Sequence, residues 1–421
     1  MHRYIDLNYK PSKDDLIAGY YVEPNNTTIE EAADNVAKES SIGTWTSIGT
    51  LNENIFKRLK PSVFSIDKEN NIIKIAYNKE LFESSNIAEI LSSVAGNIFG
   101  MSVLKNLRLL DISFPKAIVK EYPGPRYGIK GIRKITNVKK RPLVGTIIKP
   151  KLGLSAKEHA QVAYEAWVNG LDIVKDDENL TNQDFNKFKE RVELTLKYRN
   201  MAEHKTGERK IYMPNITAET FEMIRRMELV RNNNGEYIMV DVVTTGFSAL
   251  QSLRKYSQEV IHGHRAMHAA LTRNKKHGIS MLTLAKLYRL IGIDQLHVGA
   301  IVGKMEGASY EVTNIGEEIE NNIIHENKKS YVLEQKWYNI KPMMAVCSGG
   351  LHPAKVPKLM KYMGNNIVMQ FGGGCHGHPD GTGAGARAIR QAIDATMKKI
   401  PLPRYANEHL ELKKALTKWG I

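Results

Sequence analysis

Gly170-Leu-Asp-Ile-Val-Lys-Asp-Asp-Glu-Asn179 is a four-residue apolar run that delivers one lysine into three acids. Alternation along an extended chain puts Lys175 and Asp177 on one face, with Glu178 where the strand gives out. The same design recurs. Short apolar runs at 143–148, 171–174, 211–213, 237–243, 260–261, 293–296, 343–346 and 367–371 end in polar or glycine-rich residues, and helical patterns follow most of them. Eight alternations over this length match a (β/α)8 barrel, an α/β fold. An open doubly wound sheet is the competing arrangement. The barrel is favoured because the reactive residues follow the ends of many different strands, where barrel enzymes place their chemistry.

Residues 1–122 read as a smaller mixed α+β domain, with a helix over 30–37, a strand over 72–77 and a second helix over 87–100. The segment Tyr122-Pro-Gly-Pro-Arg126 suits a connection, so the barrel domain is expected over 123–421. No apolar stretch reaches the ~20 residues of a membrane helix. The start, Met1-His-Arg-Tyr-Ile-Asp-Leu7, has no signal-peptide pattern, and two cysteines cannot build a disulfide framework. A cytoplasmic protein with no membrane partner is expected. The 60 Lys and Arg against 45 Asp and Glu leave a formal charge of +15, but the basic residues fall in short clusters such as Lys139-Lys-Arg141 without interleaved aromatics. A solvated basic surface is therefore expected rather than a nucleic-acid interface.

Two carboxylates as close as Asp177 and Glu178 suit a hard cation such as magnesium. Lys175 among them would repel it as an ammonium, and becomes useful if carbon dioxide converts it to an anionic carbamate, a third oxygen ligand. In Gly145-Thr-Ile-Ile-Lys-Pro-Lys-Leu-Gly153, Lys149 and Lys151 share strand parity, and two close ammonium groups are expected to depress each other's pKa. In Ile261-His-Gly-His-Arg-Ala-Met-His268, His264 and His268 have helical zinc-ligand spacing, but Arg265 stands where a zinc protease carries glutamate. Arg265 argues for a phosphate or carboxylate instead. His297 ends a run and precedes Gly299-Ala-Ile-Val-Gly-Lys-Met-Glu-Gly307, whose Lys304 sits among glycines as in a closing loop. Ser348-Gly-Gly350 and Gly372-Gly-Gly374 end the last two runs. Gly372, Gly374 and Gly377 fit G-x-G-x-x-G, yet too little chain follows for a dinucleotide-binding unit, so a barrel-type phosphate site is the better reading.

These segments, in this order, closely resemble the large subunit of ribulose-1,5-bisphosphate carboxylase/oxygenase (RuBisCO), together with Glu39-Ser-Ser-Ile-Gly-Thr-Trp45 and Gly96-Asn-Ile-Phe-Gly100 in the N-terminal part. The wording Thr146-Ile-Ile-Lys-Pro-Lys151 looks most like the archaeal (form III) branch. One departure is Ile147, where plant-type members carry threonine. The resemblance implies magnesium-dependent addition of carbon dioxide, or oxygen, to the enediolate of ribulose-1,5-bisphosphate, and the branch implies AMP or nucleoside ribose salvage. It implies a carbamylated Lys175 binding magnesium with Asp177 and Glu178, Lys149 as proton donor tuned by Lys151, and Lys304 closing over the new carboxylate. Arg265 and His297 would hold one phosphate. Thr44, Trp45, Gly372 and Gly373 would hold the other, with Gly349 and Gly350 nearby, and His264 and Ser348 would hold substrate oxygens. Glu39, Thr44, Trp45 and Asn97 would reach a neighbouring subunit's barrel, implying a homodimer or ring of dimers with no small subunit. The rival within the same fold is a RuBisCO-like enolase or isomerase. Such proteins usually lack several of the residues that are present here.

Overall fold

The eight apolar runs of the C-terminal part are eight parallel strands in the computed structural model, which describes residues 4–301 and 309–420. They are Leu143–Ile147, Ile173–Lys175, Ile211–Met213, Tyr237–Asp241, Val260–His264, Gln295–His297, Met344–Ser348 and Ile367–Phe371. Their order in the sheet follows the chain, and the eighth strand returns to pair with the first. Between the third and fourth strands the ladder thins to a bridge of Asn215 with Met239. The barrel is thus nearly closed, and the open sheet is ruled out.

The pleat explains how one barrel holds both a core and a site. Leu143, Ile173, Ile211, Met213, Tyr237, Met239, Val260, Met344, Val346 and Val368 form one buried apolar cluster with Ile129 and Ile132 of the helix Gly128–Thr136. Two or four residues further along the same face come Lys175, Asp241, His262, His264, Ser348 and Gln370. Period-two geometry therefore carries each strand from apolar layer to reactive layer with no change of direction. Helices follow most strands, beginning with Ala156–Val168, whose start is fixed by a capping box between Ser155 and Glu158.

The contacts divide the chain into two units. The barrel strands lie in one, and the other holds the described residues up to Gly124 together with Met267–Ile291 and Asn321–Ile340. This second unit contains a five-stranded mixed sheet in the order Gly278–Ile279, Leu104–Ser113, Asp15–Pro24, Ile72–Asn78, Ser62–Asp67. The expected helix over 30–37 is Ile29–Glu39, capped by the Thr28 side chain. The expected helix over 87–100 is shorter. It stops at Val94, and a single 3-10 turn, Asn97–Gly100, follows. The break is at Gly96, where a Cβ would lie 1.9 Å from the Ser92 carbonyl oxygen, so only glycine permits this close approach.

Within this unit the fully buried Asp111 accepts hydrogen bonds from Lys286 Nζ (2.8 Å), Leu333 N (2.7 Å) and Ile112 N (2.8 Å). Breaking such a pair leaves an uncompensated buried ammonium. Asp111→Ala should therefore destabilise the protein by about 3–5 kcal/mol in denaturant unfolding. Adding Lys286→Met should recover part of that loss, because it removes the stranded charge but not the orphaned amides. A single variant of wild-type stability would contradict this.

Candidate active site

Residues 175–178 leave the second strand with alternating directions, and Asp176 is the anchor. Its carboxylate accepts from Arg191 Nε (3.0 Å), Tyr212 OH (2.8 Å) and Asn215 N (2.9 Å), and His159 Nε2 lies 3.1 Å away. Burial raises its pKa, but Arg191 and His159 outweigh that and hold the carboxyl below its usual 3.8. Asn215 also donates its side-chain amide to the carbonyls of Asp177 (3.3 Å) and Glu178 (3.1 Å). With Asp176 clamped on one side, Lys175 and Asp177 are committed to the other.

Lys175 is fully buried and donates to the Asp176 carbonyl (2.7 Å) and Met239 Sδ (3.1 Å). Burial pulls its amine pKa down, against the opposing pull of Glu178, Asp177 and Asp241. Glu178 shows the reciprocal effect: burial raises it, yet Lys175 and His264 together bring it down to about 2. Lys149 donates to Asp177 Oδ2 at 2.6 Å and Lys151 to Glu178 Oε1 at 3.3 Å. The expected mutual depression of these lysines fails for Lys151. Its pKa is raised, first by Glu178 and then by Asp177, because the carboxylates beside it outweigh a like charge.

The histidines form a connected set. His264 Nδ1 meets Asp241 Oδ1 at 2.9 Å, and its Nε2 lies 3.8 Å from Glu178 Oε2. His297 Nδ1 meets Ser348 Oγ at 2.8 Å, His297 Nε2 meets His262 Nε2 at 2.9 Å, and His262 Nδ1 meets Gln295 Oε1 at 2.9 Å. Burial lowers His262 to about 3, with Lys175 adding to it, and takes His297 well below the usual range. Both ring nitrogens of His297 are engaged in these contacts. The helical zinc pair is not formed: His264 ends a strand, whereas His268 begins a short helix and its Nδ1 meets Thr272 Oγ1. Arg265 reaches Gly299, where an added Cβ would lie 2.6 Å from its Nη2, and burial lowers its pKa to about 10.

After the eighth strand, Gly373–His376 makes a turn of helix, and Lys149 Cε lies 3.4 Å from where a Gly372 Cβ would stand. Among the described residues no βαβ unit follows; Gly381–Met397 is a helix, so the dinucleotide pattern has no structural context here. His376 Nε2 meets both Thr146 Oγ1 (2.9 Å) and the Ile147 carbonyl (3.0 Å), tying this loop to the first strand. Gly349 and Gly350 both have positive φ, 103° and 67°, which directs the chain away from Ser348.

Lys149, Lys151, Lys175, Asp177, Glu178, Arg265, His264, His297, Ser348, Gly349, Gly350, Gly372 and Gly373 all belong to the barrel unit. Glu39, Thr44, Trp45 and Asn97 belong to the other. There Glu39 ends its helix half-buried, while Trp45 is 85 % exposed. Lys304 lies outside the described residues. Sequence reasoning missed Asp241, Asn215, His262 and Gln295 as members of the site. Parity on their strands was the available signal for all but Asn215, which follows its strand.

Two family models match the chain: the ribulose bisphosphate carboxylase large chain catalytic domain over residues 128–419, and its N-terminal domain over residues 3–118. The chain belongs to the RuBisCO large-chain family. It is 51 % identical over 424 residues to a ribulose bisphosphate carboxylase of Methanocaldococcus jannaschii, covering 99 % of each chain. It is 47 % identical to the octameric RuBisCO of Pyrococcus horikoshii, whose structure was solved with sulfate ion, with a TM-score of 0.92 over 99 % of this chain and 96 % of that one. For the dimeric archaeal RuBisCO of Hyperthermus butylicus the identity is 43 % and the TM-score 0.94, over 99 % and 98 %. Among the described residues no helix is long and apolar enough to cross a membrane.

The donor set fits the magnesium ion that the family implies. Asp177 and Glu178 are hard oxygen donors, and Lys175 is a buried amine biased toward its neutral form, the form that can take up carbon dioxide. Among the described residues no three His, Cys, Asp or Glu side chains are grouped to hold a metal.

The Asp176 clamp is testable. Asp176→Asn keeps the shape but removes the partner of buried Arg191, and should cost about 3–5 kcal/mol at neutral pH. A carboxyl with a depressed folded pKa contributes its stability above the unfolded value and loses it as pH falls through the folded value. The gap between wild type and variant should thus be full above about pH 4 and close on further acidification. A pH-independent gap in thermal unfolding would assign the effect to shape instead.

Proposed function

We propose that this protein is a ribulose-1,5-bisphosphate carboxylase, converting the bisphosphate, carbon dioxide and water into two molecules of 3-phosphoglycerate. The observation that carries this reading is Lys175: a fully buried amine of lowered pKa beside Asp177 and Glu178. Its neutral form attacks carbon dioxide, forming an N–C bond and releasing one proton, so that a cation becomes a carboxylate-like group. Lys175, Asp177 and Glu178 would then hold magnesium, which when bound polarises the substrate's carbonyl and stabilises enediolate charge.

The residues' own work follows from their placement. The Lys175 carbamate takes the C3 proton of the bisphosphate. Lys149, whose ammonium lies on Asp177, would protonate the final carbanion. Lys151 stays cationic beside Glu178. His264, oriented by Asp241, presents its other nitrogen toward Glu178 and the substrate oxygens. Arg265 and His297 bind one phosphate, Arg265 through charge-assisted hydrogen bonds, and the backbone of Gly372 and Gly373 binds the other with Thr44 and Trp45. Gly349 and Gly350 give Ser348 room to meet a substrate oxygen. Lys304 closes over the added carboxylate. Oxygen competes with carbon dioxide for the same enediolate.

The working unit is a homodimer or a ring of dimers in the cytoplasm, without a small subunit, in which the N-terminal domain, residues 1–122, serves the neighbour's barrel through Glu39, Thr44, Trp45 and Asn97. The archaeal resemblance favours salvage of nucleotide ribose as the source of substrate. Incorporation of labelled carbon dioxide into 3-phosphoglycerate tests the activity directly. Product that depends on the bisphosphate but carries no label would favour a RuBisCO-like enolase or isomerase.

Lys175→Ala should lower carboxylation by about 10³-fold or more, because the groups that stabilise developing charge are lost together. It should also abolish activation by preincubation with carbon dioxide and magnesium. Retained activity would overturn the carbamate. Sharing of sites between subunits has its own measurement: inactive Glu39→Gln and inactive Lys175→Ala chains, mixed under exchanging conditions, should regain part of the activity. Verified heterodimers that stay inactive would place each site within one chain.

A further inference from the structure

Ser348-Gly-Gly350 and Gly372-Gly-Gly374 let the backbone come close to a ligand, but glycines carry no side chains with which to hold their own positions. Other residues must hold them. The two loops touch at one point: a Cβ on Gly374 would lie 2.0 Å from the Leu351 carbonyl oxygen and 2.9 Å from His352 Cα, so a shift of one loop is felt by the other. His376 ties the second loop to the first strand through Thr146 and the Ile147 carbonyl. A third support is the helix Leu410–Trp419, which reaches both loops.

That helix has a firm base. Leu412, Ala415 and Leu416 are buried, and Glu411 accepts from Arg387 Nε (2.8 Å) and Gln391 Nε2 (2.9 Å) of the helix Gly381–Met397. Near its start, His378 accepts from Asp380 N (3.1 Å) and donates from Nε2 to the Glu411 carbonyl (2.9 Å). At its other end, Lys418 Nζ donates to the Gly377 carbonyl at 2.6 Å. The Trp419 ring stacks on His352, with centroids 5.7 Å apart and planes 30° apart, and its Cζ2 lies 3.8 Å from where a Gly377 Cβ would stand. Nδ1 of His352 is buried and has no hydrogen-bond partner among the described residues, so packing holds that side of the ring. One side chain, Trp419, thus bridges His352 of the first loop and Gly377 of the second.

We infer that Trp419, with Lys418, is a positioning residue that braces the two glycine loops against each other and so sets how tightly the bisphosphate is held. The inference rests on the reading of Gly372 and Gly373 as a phosphate-binding loop with Gly350 nearby. Backbone donors serve a ligand only when held within about 0.5 Å of their productive positions, and glycine loops depend on their surroundings for that precision. Neither Trp419 nor Lys418 touches substrate in this reading; each acts through the loop backbone. A phosphate remote from the reacting carbons is bound alike before and during the chemical steps, so loosening the brace costs affinity rather than turnover.

Steady-state carboxylation and calorimetric binding of the bisphosphate, both on full-length protein, test this. In Trp419→Ala, KM for the bisphosphate should rise about 5-fold, the equivalent of one hydrogen bond, with kcat little changed. Trp419→Phe, which keeps a stacking ring, should recover most of that loss. Hydrogen exchange in Trp419→Ala should quicken at residues 349–355 and 372–378 and stay unchanged in the barrel strands. Lys418→Met should give a smaller rise in KM, and Lys418→Arg should restore it. An unchanged KM, or a fall in kcat at unchanged KM, would overturn the inference, as would exchange that quickens throughout the barrel. If Trp419→Ala does not fold, the exposed Lys418 decides alone, and wild-type KM in Lys418→Met would remove the brace. If no labelled 3-phosphoglycerate forms, weaker calorimetric binding in Trp419→Ala would keep this inference and sink the carboxylase reading; carboxylation with wild-type KM in both variants would do the opposite.

Discussion

The clamp on Asp176 is the constraint on which the site depends. One carboxylate held by Arg191, Tyr212 and the Asn215 amide fixes the orientation of a three-residue strand end. Its neighbours on either side, Lys175 and Asp177, are then forced onto the opposite face. A lysine whose burial costs free energy stays there because Asp176, clamped behind it, leaves the strand end no other way to turn. This is a local conflict of the kind expected where function rather than stability selects residues.

Charge balance is the second principle of the site. Lys149 and Lys151 sit on Asp177 and Glu178, so each carboxylate is balanced by an ammonium group. Such partners are readily displaced, because each is tethered by a flexible stem and Lys151 remains more than half exposed. Further round the barrel, neutral His262 and His297 avoid adding positive charge beside Lys175 and Arg265, and they spend their hydrogen-bonding capacity on orientation instead.

Much of this was legible in the residues. The eight runs lie within a few positions of the observed strands, and the Lys175, Lys149, His264 and glycine segments all fall at strand ends. Period-two patterning survives in short buried strands because one face must fill the barrel while the other packs outward. The pattern over 87–100 reads as one helix because Gly96 is unremarkable as a letter; its role comes from the approach of the Ser92 carbonyl. The zinc spacing of His264 and His268 likewise assumed one helix, whereas the chain changes from strand to helix between them.

The sequence by itself determined the barrel, the position of the reactive layer and the family, since apolar periodicity and motif order are properties of the chain. Tertiary structure alone decided which polar residues are partners. Asp176 and Arg191, Asp241 and His264, and His262 with Gln295 and His297 lie 15 to 35 residues apart and meet only because the fold sets neighbouring strands, and the helix Phe188–Thr206 that carries Arg191, side by side. It also decided their protonation. Lys151 is raised and Lys175 lowered, although both are lysines among acids, because burial and the distance to a carboxylate are set by the fold.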